Sequence, residues 1–229
     1  MKTIFKKFDK KRIATLPVVR FEGKIVVVLS AAEAERAVDY LLSQPLLGVD
    51  TETRPSFKKG RLTKVALLQV ATHDTCFLFR LNCIGMPPAV VRLLEDQKVP
   101  KVGLSWHDDI LMLHKRGEFT PGNFIDLQKH VGEIGVEDRS LQKLYANFFG
   151  QKISKSQQLS NWENDVLQDR QKLYAATDAW ACIQLYEELM RLEKYHDFQL
   201  VEEPEDNAES KENDTPKDGE EPKKDALQS

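Results

Sequence analysis

Hydrophobic residues follow two different spacings along the chain, and the change between them falls near residue 126. Before that point, short apolar runs separated by turn residues predict β-strands at 46–50, 65–70, 76–79 and 101–105. After it, apolar residues recur every three or four positions, which is the spacing of helices that cover a core. The chain is therefore predicted to be an α/β protein in which α-helices flank a mixed β-sheet.

The first elements carry recognisable start signals. Glu22-Gly23 separates two β-rich runs, 18–21 and 24–29, and a two-residue turn between such runs predicts a hairpin. Ser30 and Glu33 then form the S-x-x-E pattern of a capping box, which predicts that the first long helix begins here.

Length and charge divide the chain into a body and a tail. A chain of 229 residues with 41% hydrophobic residues is long enough to close one sizeable core. The net charge of −3 is uneven, because residues 202–229 contain eleven acidic residues and only four lysines. We predict a basic N-terminal extension at 1–19, a single domain at 20–200 and a disordered acidic tail at 201–229. The tail has too few apolar residues to offset the entropy lost on ordering.

Cysteine usage and the chain start bear on where the protein functions. Cys76, Cys83 and Cys182 are an odd number without C-x-x-C spacing, so they indicate neither a disulfide framework nor a zinc site. The N-terminus lacks the apolar segment of an export signal, and no stretch approaches the roughly 18 apolar residues of a membrane span. We therefore expect a cytoplasmic protein that does not contact membranes.

Candidate metal ligands begin at the end of a predicted strand. Asp50 and Glu52 are two residues apart, and because side chains alternate along a strand, both carboxylates project from the same face. This arrangement suits a divalent cation that prefers oxygen ligands. A simpler interpretation is that the two acids end the strand in solvent.

Two helical segments carry further acids. Tyr174 and Asp178 are four residues apart in a segment with helical spacing, so the phenol and the carboxylate lie on one face. A Tyr–Asp pair or a buried salt bridge is the alternative interpretation. Asp108 and Asp109 fall in the first turn of another predicted helix, where acids also serve simply to complement the helix dipole.

Taken together, these acids indicate a metal site more strongly than any one of them does. Four carboxylates from a strand end, a helix start and a later helix are the ligands that a pair of Mg²⁺ ions requires. Two such ions about 3.5–4 Å apart can clamp both the attacking and the leaving oxygen of a phosphodiester.

Three sequence blocks, in order along the chain, resemble the motifs of the DEDD superfamily of 3′–5′ exonucleases. They are LLGVDTE, KVGLSWHDDILML and YAATDAWA, and the Tyr-x-x-x-Asp of the third is the signature of the tyrosine-bearing branch. A fourth block, GQKISKSQQLSNWE, is similar to the segment before the third motif. The resemblance covers about residues 20–195 and is greatest to ribonuclease D and the Werner-syndrome helicase exonuclease domain. It implies a ribonuclease H-like (DnaQ-like exonuclease) fold in a single domain.

The resemblance also implies which residues act. Two Mg²⁺ or Mn²⁺ ions are expected on Asp50, Glu52, Asp109 and Asp178, with Tyr174 holding the attacking water. Asp108 replaces Asp109 if the helix begins one residue earlier. The implied reaction is in-line hydrolysis at the 3′ end of DNA or RNA, with release of nucleoside 5′-monophosphates.

Basic residues near the motifs are candidates for contacts with substrate phosphates, although most lysines are simply solvated. The candidates are Lys152, Lys155, Arg61 and Lys64, the first two from the block before the third motif. Trp106 and Trp162 have the aromatic surface to stack on bases, but tryptophans in such blocks more often belong to the core.

Two other functions are compatible with these residues. One is a nucleic-acid-binding module that keeps the fold without catalysis, and the other is a protein-interaction scaffold whose acids are only structural. All five implied catalytic positions are present, which favours the enzyme. Release of mononucleotides that depends on Mg²⁺ distinguishes the three.

Overall fold

The computed structural model of the protein describes residues 1–55 and 63–202. Its strands are β1 (Lys2–Phe5), β2 (Lys24–Val28), β3 (Leu47–Thr53), β4 (Val65–Ala71), β5 (Thr75–Phe79), β6 (Lys101–Gly103), β7 (Phe124–Asp126) and β8 (Phe198–Val201). Its helices are α1 (Lys10–Ile13), α2 (Ala31–Leu41), α3 (Leu81–Ile84), α4 (Pro88–Glu95), α5 (Trp106–His114), α6 (Leu127–Glu133), α7 (Leu141–Phe149) and α8 (Asp169–Tyr195).

A mixed six-stranded sheet forms the centre of the molecule, with the strand order β2-β5-β4-β3-β6-β7. β3 is antiparallel to β4 and parallel to β6, whereas β2 is parallel to β5. Every residue of β4 is buried, as expected of a strand that is covered on both faces. One part of the core lies between the sheet and α6, α7 and α8, and the other lies under α2, α4 and α5. The predicted α/β architecture is confirmed.

The longest helix, α8, lies directly against the central strand β3. Gly48 makes this contact possible, because a Cβ atom at this position would overlap the carbonyl oxygen of Ala179. Ala175, Ala176 and Ala179 on the same helix are fully buried, and their small side chains keep the helix close to the sheet. Asp178 is thereby brought next to the carboxylates of β3.

The start of the sheet differs from the sequence prediction. Ser30 does cap α2, since its side chain accepts a hydrogen bond from the Glu33 N–H. The hairpin predicted around Glu22-Gly23 is wrong, because β2 pairs in parallel with β5. The run before the turn instead contacts distant parts of the chain: Val18 forms a bridge with Lys152, and Phe21 is buried in the core. Pairing with distant segments is therefore favoured over the hairpin that the local turn residues predict.

Both predicted boundaries of the domain fall within structured regions. β1, inside the predicted extension 1–19, pairs in parallel with β8, and Ile4 is fully buried in the main core. β8 ends at Val201, one residue inside the predicted tail, and residues 203–229 lie outside the described part of the chain. Among the helices of residues 1–55 and 63–202, none combines the length and apolar character needed to traverse a membrane.

Candidate active site

Three carboxylates meet where β3 lies against α8. Asp50 and Glu52 project from the same side of the strand, and Asp178 reaches them from the helix. One oxygen from each carboxylate lies within 4.8 Å of the other two. Glu52 and Asp178 are 9% and 7% exposed, while Asp50 is partly open to a cleft. We call Asp50, Glu52 and Asp178 the acidic cluster.

The acidic cluster is electrostatically unfavourable without a cation. Burial raises the pKa of Asp50 well above its ordinary value, and the nearby charges of Asp178 and Asp109 raise it further. Burial also raises the pKa of Glu52, followed by the charges of its neighbours. The Oδ1 atom of Asp178 is buried and has no hydrogen-bond partner among the described residues. Oxygen donors at this spacing, including one without a partner, fit a divalent cation with oxygen ligands.

Asp109 lies beside the acidic cluster but is not one of its three members. Its carboxylate accepts a hydrogen bond from the hydroxyl of Thr51, the residue whose side chain alternates with those of Asp50 and Glu52. Burial raises the pKa of Asp109 to about 6. Asp108, the alternative ligand, is exposed. The structure therefore places Asp109, and not Asp108, against the strand that carries the first motif.

The start of α5 determines which of the two acids faces β3. Ser105, just before the helix, has a φ of 61° and a ψ of 40°, in the left-handed region. The backbone N–H groups of Ser105 and Trp106 donate to the Asp126 carboxylate at 2.9 and 3.1 Å. Asp126, at the end of β7, was not singled out from the sequence. Its position before a helical segment was the only local signal of this role.

Tyr174 lies one helical turn before Asp178 and lines the same cleft. Burial raises the pKa of its phenol, and the neighbouring charges of Asp178, Glu52 and Asp50 raise it further. The phenol therefore stays protonated at neutral pH, and its hydroxyl is a hydrogen-bond partner of the Asp178 carboxylate. Its ring packs near Trp162, with ring centroids 5.9 Å apart.

Residues 25–193 match a protein family described as 3′–5′ exonuclease, and this range is well over half of the chain. The chain belongs to the 3′–5′ exonuclease family. The mouse bifunctional 3′–5′ exonuclease/ATP-dependent helicase WRN is 30% identical over 187 residues, 77% of this chain and 13% of the mouse protein. A 3′–5′ exonuclease of Arabidopsis thaliana is 29% identical over 208 residues, 83% of this chain and 72% of the plant protein. This exonuclease-family chain thus spans only a small part of the mouse relative.

Solved structures of other exonucleases share the fold. The EXO domain of Nibbler from Aedes aegypti matches with a TM-score of 0.68 at 23% identity, over 78% of this chain and 92% of that domain. RNase D of Escherichia coli matches with a TM-score of 0.66 at 18% identity, over 74% of this chain and 44% of that one. Trypanosoma brucei RNase D in complex with RNA U12 matches with a TM-score of 0.64 at 21% identity, over 74% and 63% of the two chains. The predicted ribonuclease H-like fold and the resemblance to the DEDD superfamily are confirmed.

The basic residues predicted to contact substrate occupy different surroundings in this exonuclease-family domain. Lys155 is exposed at the cleft. Burial raises the pKa of Asp178 to about 7, while a hydrogen bond with Tyr174 and the charge of Lys155 act in the opposite direction. Lys152 instead donates to the carbonyl oxygen of Ala14, so its amine anchors the N-terminal segment and does not line the cleft. Lys64 is exposed just before β4, and Arg61 lies outside the described residues.

Trp106, Trp162 and Arg80 are buried side chains outside the cleft. Trp106 and Trp162 are 3% and 0% exposed, so they belong to the core as the simpler interpretation held. Arg80, which no sequence motif singles out, is 1% exposed and donates to the carbonyl oxygens of Asn164 and Asp165. These bonds fix the segment that leads into α8, and only the tertiary fold reveals this role.

Proposed function

We propose that the chain is a catalytically active 3′–5′ exonuclease that uses two Mg²⁺ or Mn²⁺ ions. The observation that carries this proposal is the acidic cluster, in which two buried carboxylates and the partly exposed Asp50 bring oxygens within 4.8 Å of one another. Buried acids of like charge are costly unless a cation neutralises them. The cluster is therefore explained by metal binding more simply than by a structural role.

Each member of the site has a distinct task in the proposed reaction. Asp50, Glu52 and Asp178 hold the ions, and Asp109 contributes from the side of Thr51. When bound, such ions would lower the pKa of the attacking water and neutralise the charge that develops on the scissile phosphate.

Tyr174 orients the attacking water by hydrogen bonding. Its pKa is raised by burial, which makes the phenol a donor and a poor general base. Attack on the last phosphodiester leaves a 3′ hydroxyl on the shortened strand and releases a nucleoside 5′-monophosphate.

The substrate in this proposal is the 3′ end of a nucleic acid. Lys155 is the described basic residue beside the acidic cluster that is placed to meet a phosphate at the cleft. The Trypanosoma brucei neighbour is a complex with RNA U12, which makes RNA a reasonable first substrate to test. Matched RNA and DNA oligomers in parallel then define the substrate class.

Digestion of end-labelled oligomers tests the proposal. A 5′-labelled oligomer should shorten one nucleotide at a time with Mg²⁺, and a uniformly labelled one should yield nucleoside 5′-monophosphates. Asp109→Asn should lower turnover by at least about a hundredfold, since loss of one stabilising group at a reacting centre commonly costs about 10²–10³. Asp108→Asn is the matched control, because this neighbour is exposed, and it should retain activity. Binding of the oligomer without metal-dependent shortening would instead indicate the non-catalytic module.

A further inference from the structure

A second group of possible metal ligands lies far from the acidic cluster. It consists of His130 and Glu133, one turn apart on α6, and Glu193 near the end of α8. Glu193 is fifteen residues beyond Asp178 on the same helix, which corresponds to about 22 Å along its axis. The two groups are therefore separate sites, and the second is independent of the proposed nuclease reaction.

The three donor atoms have the spacing of a metal coordination shell. His130 Nδ1 lies 3.4 Å from Glu133 Oε2 and 3.8 Å from Glu193 Oε1. All three atoms lie within 4.8 Å of one another. Zn²⁺, with bonds of about 2.0–2.2 Å to tetrahedral ligands, separates its ligand atoms by about 3.3–3.6 Å. Small side-chain adjustments would bring all three donors onto one ion.

Two of these atoms also lack hydrogen bonds. His130 Nδ1 and Glu193 Oε1 are both shielded from solvent, and neither has a hydrogen-bond partner within residues 1–55 and 63–202. Buried polar atoms in folded proteins nearly always have a partner. A cation between them would interact with both. The His130 ring packs edge to face on Tyr186, with ring centroids 6.1 Å apart.

His73 and Glu187 form an ordinary histidine–carboxylate hydrogen bond in the same molecule. His73 Nε2 and Glu187 Oε1 are 2.7 Å apart, a direct hydrogen bond between two half-exposed side chains. Among the described residues, no second carboxylate forms an ion pair with His73. The His130 group differs in its longer distances, in its second acid and in the burial of two atoms that have no hydrogen bond.

We propose that His130, Glu133 and Glu193 form a Zn²⁺ site that ties α6 to the C-terminal part of α8. An imidazole nitrogen with two carboxylates suits Zn²⁺, whereas Mg²⁺ prefers oxygen ligands alone. Water completes the coordination, since the Glu133 side chain is 53% exposed and leaves one side of the site open. The molecule then has two metal sites with different preferences: Zn²⁺ at this one and Mg²⁺ or Mn²⁺ at the acidic cluster.

Calorimetric titration of the chelator-treated full chain with zinc chloride tests this site. The chain should carry Asp50→Asn, Glu52→Gln and Asp178→Asn together, so that the acidic cluster does not contribute to the binding of zinc. One equivalent of Zn²⁺ should bind, and excess Mg²⁺ should not displace it. Its binding should also raise the thermal unfolding temperature.

Substitutions at the second group identify the ligands. His130→Ala and Glu193→Gln should each weaken zinc binding at least tenfold, since loss of even an outer-shell partner costs about 10–100-fold. Glu133→Gln changes a half-exposed side chain and should weaken binding while the fold, checked by circular dichroism, is retained. Glu187→Gln is the matched control on α8 and should have no effect. The proposal is overturned if the triple variant binds no zinc, or if Glu133→Gln and Glu193→Gln bind it as tightly as the control.

Discussion

Replacing Asp178 with asparagine should stabilise the metal-free protein and at the same time abolish its stabilisation by Mg²⁺. Asp178 is 7% exposed, and a carboxylate oxygen on it lies within 4.8 Å of oxygens on Asp50 and Glu52. Two unit charges 4.8 Å apart repel by about 3 kcal/mol at an effective dielectric constant of 20. Asp178→Asn keeps an amide oxygen that can still accept the hydrogen bond from Tyr174, so the bond weakens but is not removed. The attraction to Lys155 is lost, but that side chain is exposed and contributes at most about 1 kcal/mol. Repulsion therefore dominates.

The expected gain for Asp178→Asn at pH 8 without metal is about 1–3 kcal/mol in the free energy of unfolding, because partial protonation of the acidic cluster already relieves some of the repulsion. Urea denaturation with and without Mg²⁺ measures it. Saturating Mg²⁺ at a hundred times its dissociation constant should add about 2.7 kcal/mol to the wild type and much less to the variant. Glu187→Gln, an exposed carboxylate on the same helix, is the control. A variant less stable than wild type without metal, or one that keeps the full Mg²⁺ effect, would refute the reasoning.

Four further outcomes follow from the site. Without metal, the free energy of unfolding should fall as the pH rises from about 4 to about 6. Burial raises the pKa of Asp109 in the folded protein to about 6, whereas the same carboxyl loses its proton near pH 4 in the unfolded chain. Urea midpoints across this range measure the effect, and Mg²⁺ should remove the pH dependence. Tyr174→Phe should lower kcat at least tenfold and leave Mg²⁺ affinity nearly unchanged, as kinetics and calorimetry can show. Lys155→Ala should raise KM several-fold, and added salt should shrink the difference from wild type. Gly48→Ala should destabilise the fold by at least about 2 kcal/mol in urea denaturation, since the new methyl group meets the backbone of α8.

The carboxylates of the site were predictable because each spacing belongs to one regular element. Two residues along β3 place Asp50 and Glu52 on the same side, and four residues along α8 do the same for Tyr174 and Asp178. The periodicities of strands and helices hold wherever the elements pack. The sequence therefore indicated the pairs, and the resemblance of the motifs indicated that they meet.

The rest of the site depends on contacts between distant segments. Asp109 and Asp108 differ only in where α5 begins, and Asp126, seventeen residues beyond Asp109, sets that point by binding the N–H of Ser105. Lys155 lines the cleft and Lys152 does not, because Lys152 pairs with Val18, which is far away in sequence. No local pattern contains these contacts.

The position of the metal ions tests the central claim most directly. Crystals soaked with Mn²⁺ and a nucleoside 5′-monophosphate should show two anomalous peaks about 3.5–4 Å apart at the acidic cluster. One peak should contact both β3 carboxylates and Asp178, and the phosphate should lie between the peaks and Tyr174. An ordered mononucleotide with no manganese at Asp50, Glu52 and Asp178 would contradict the account.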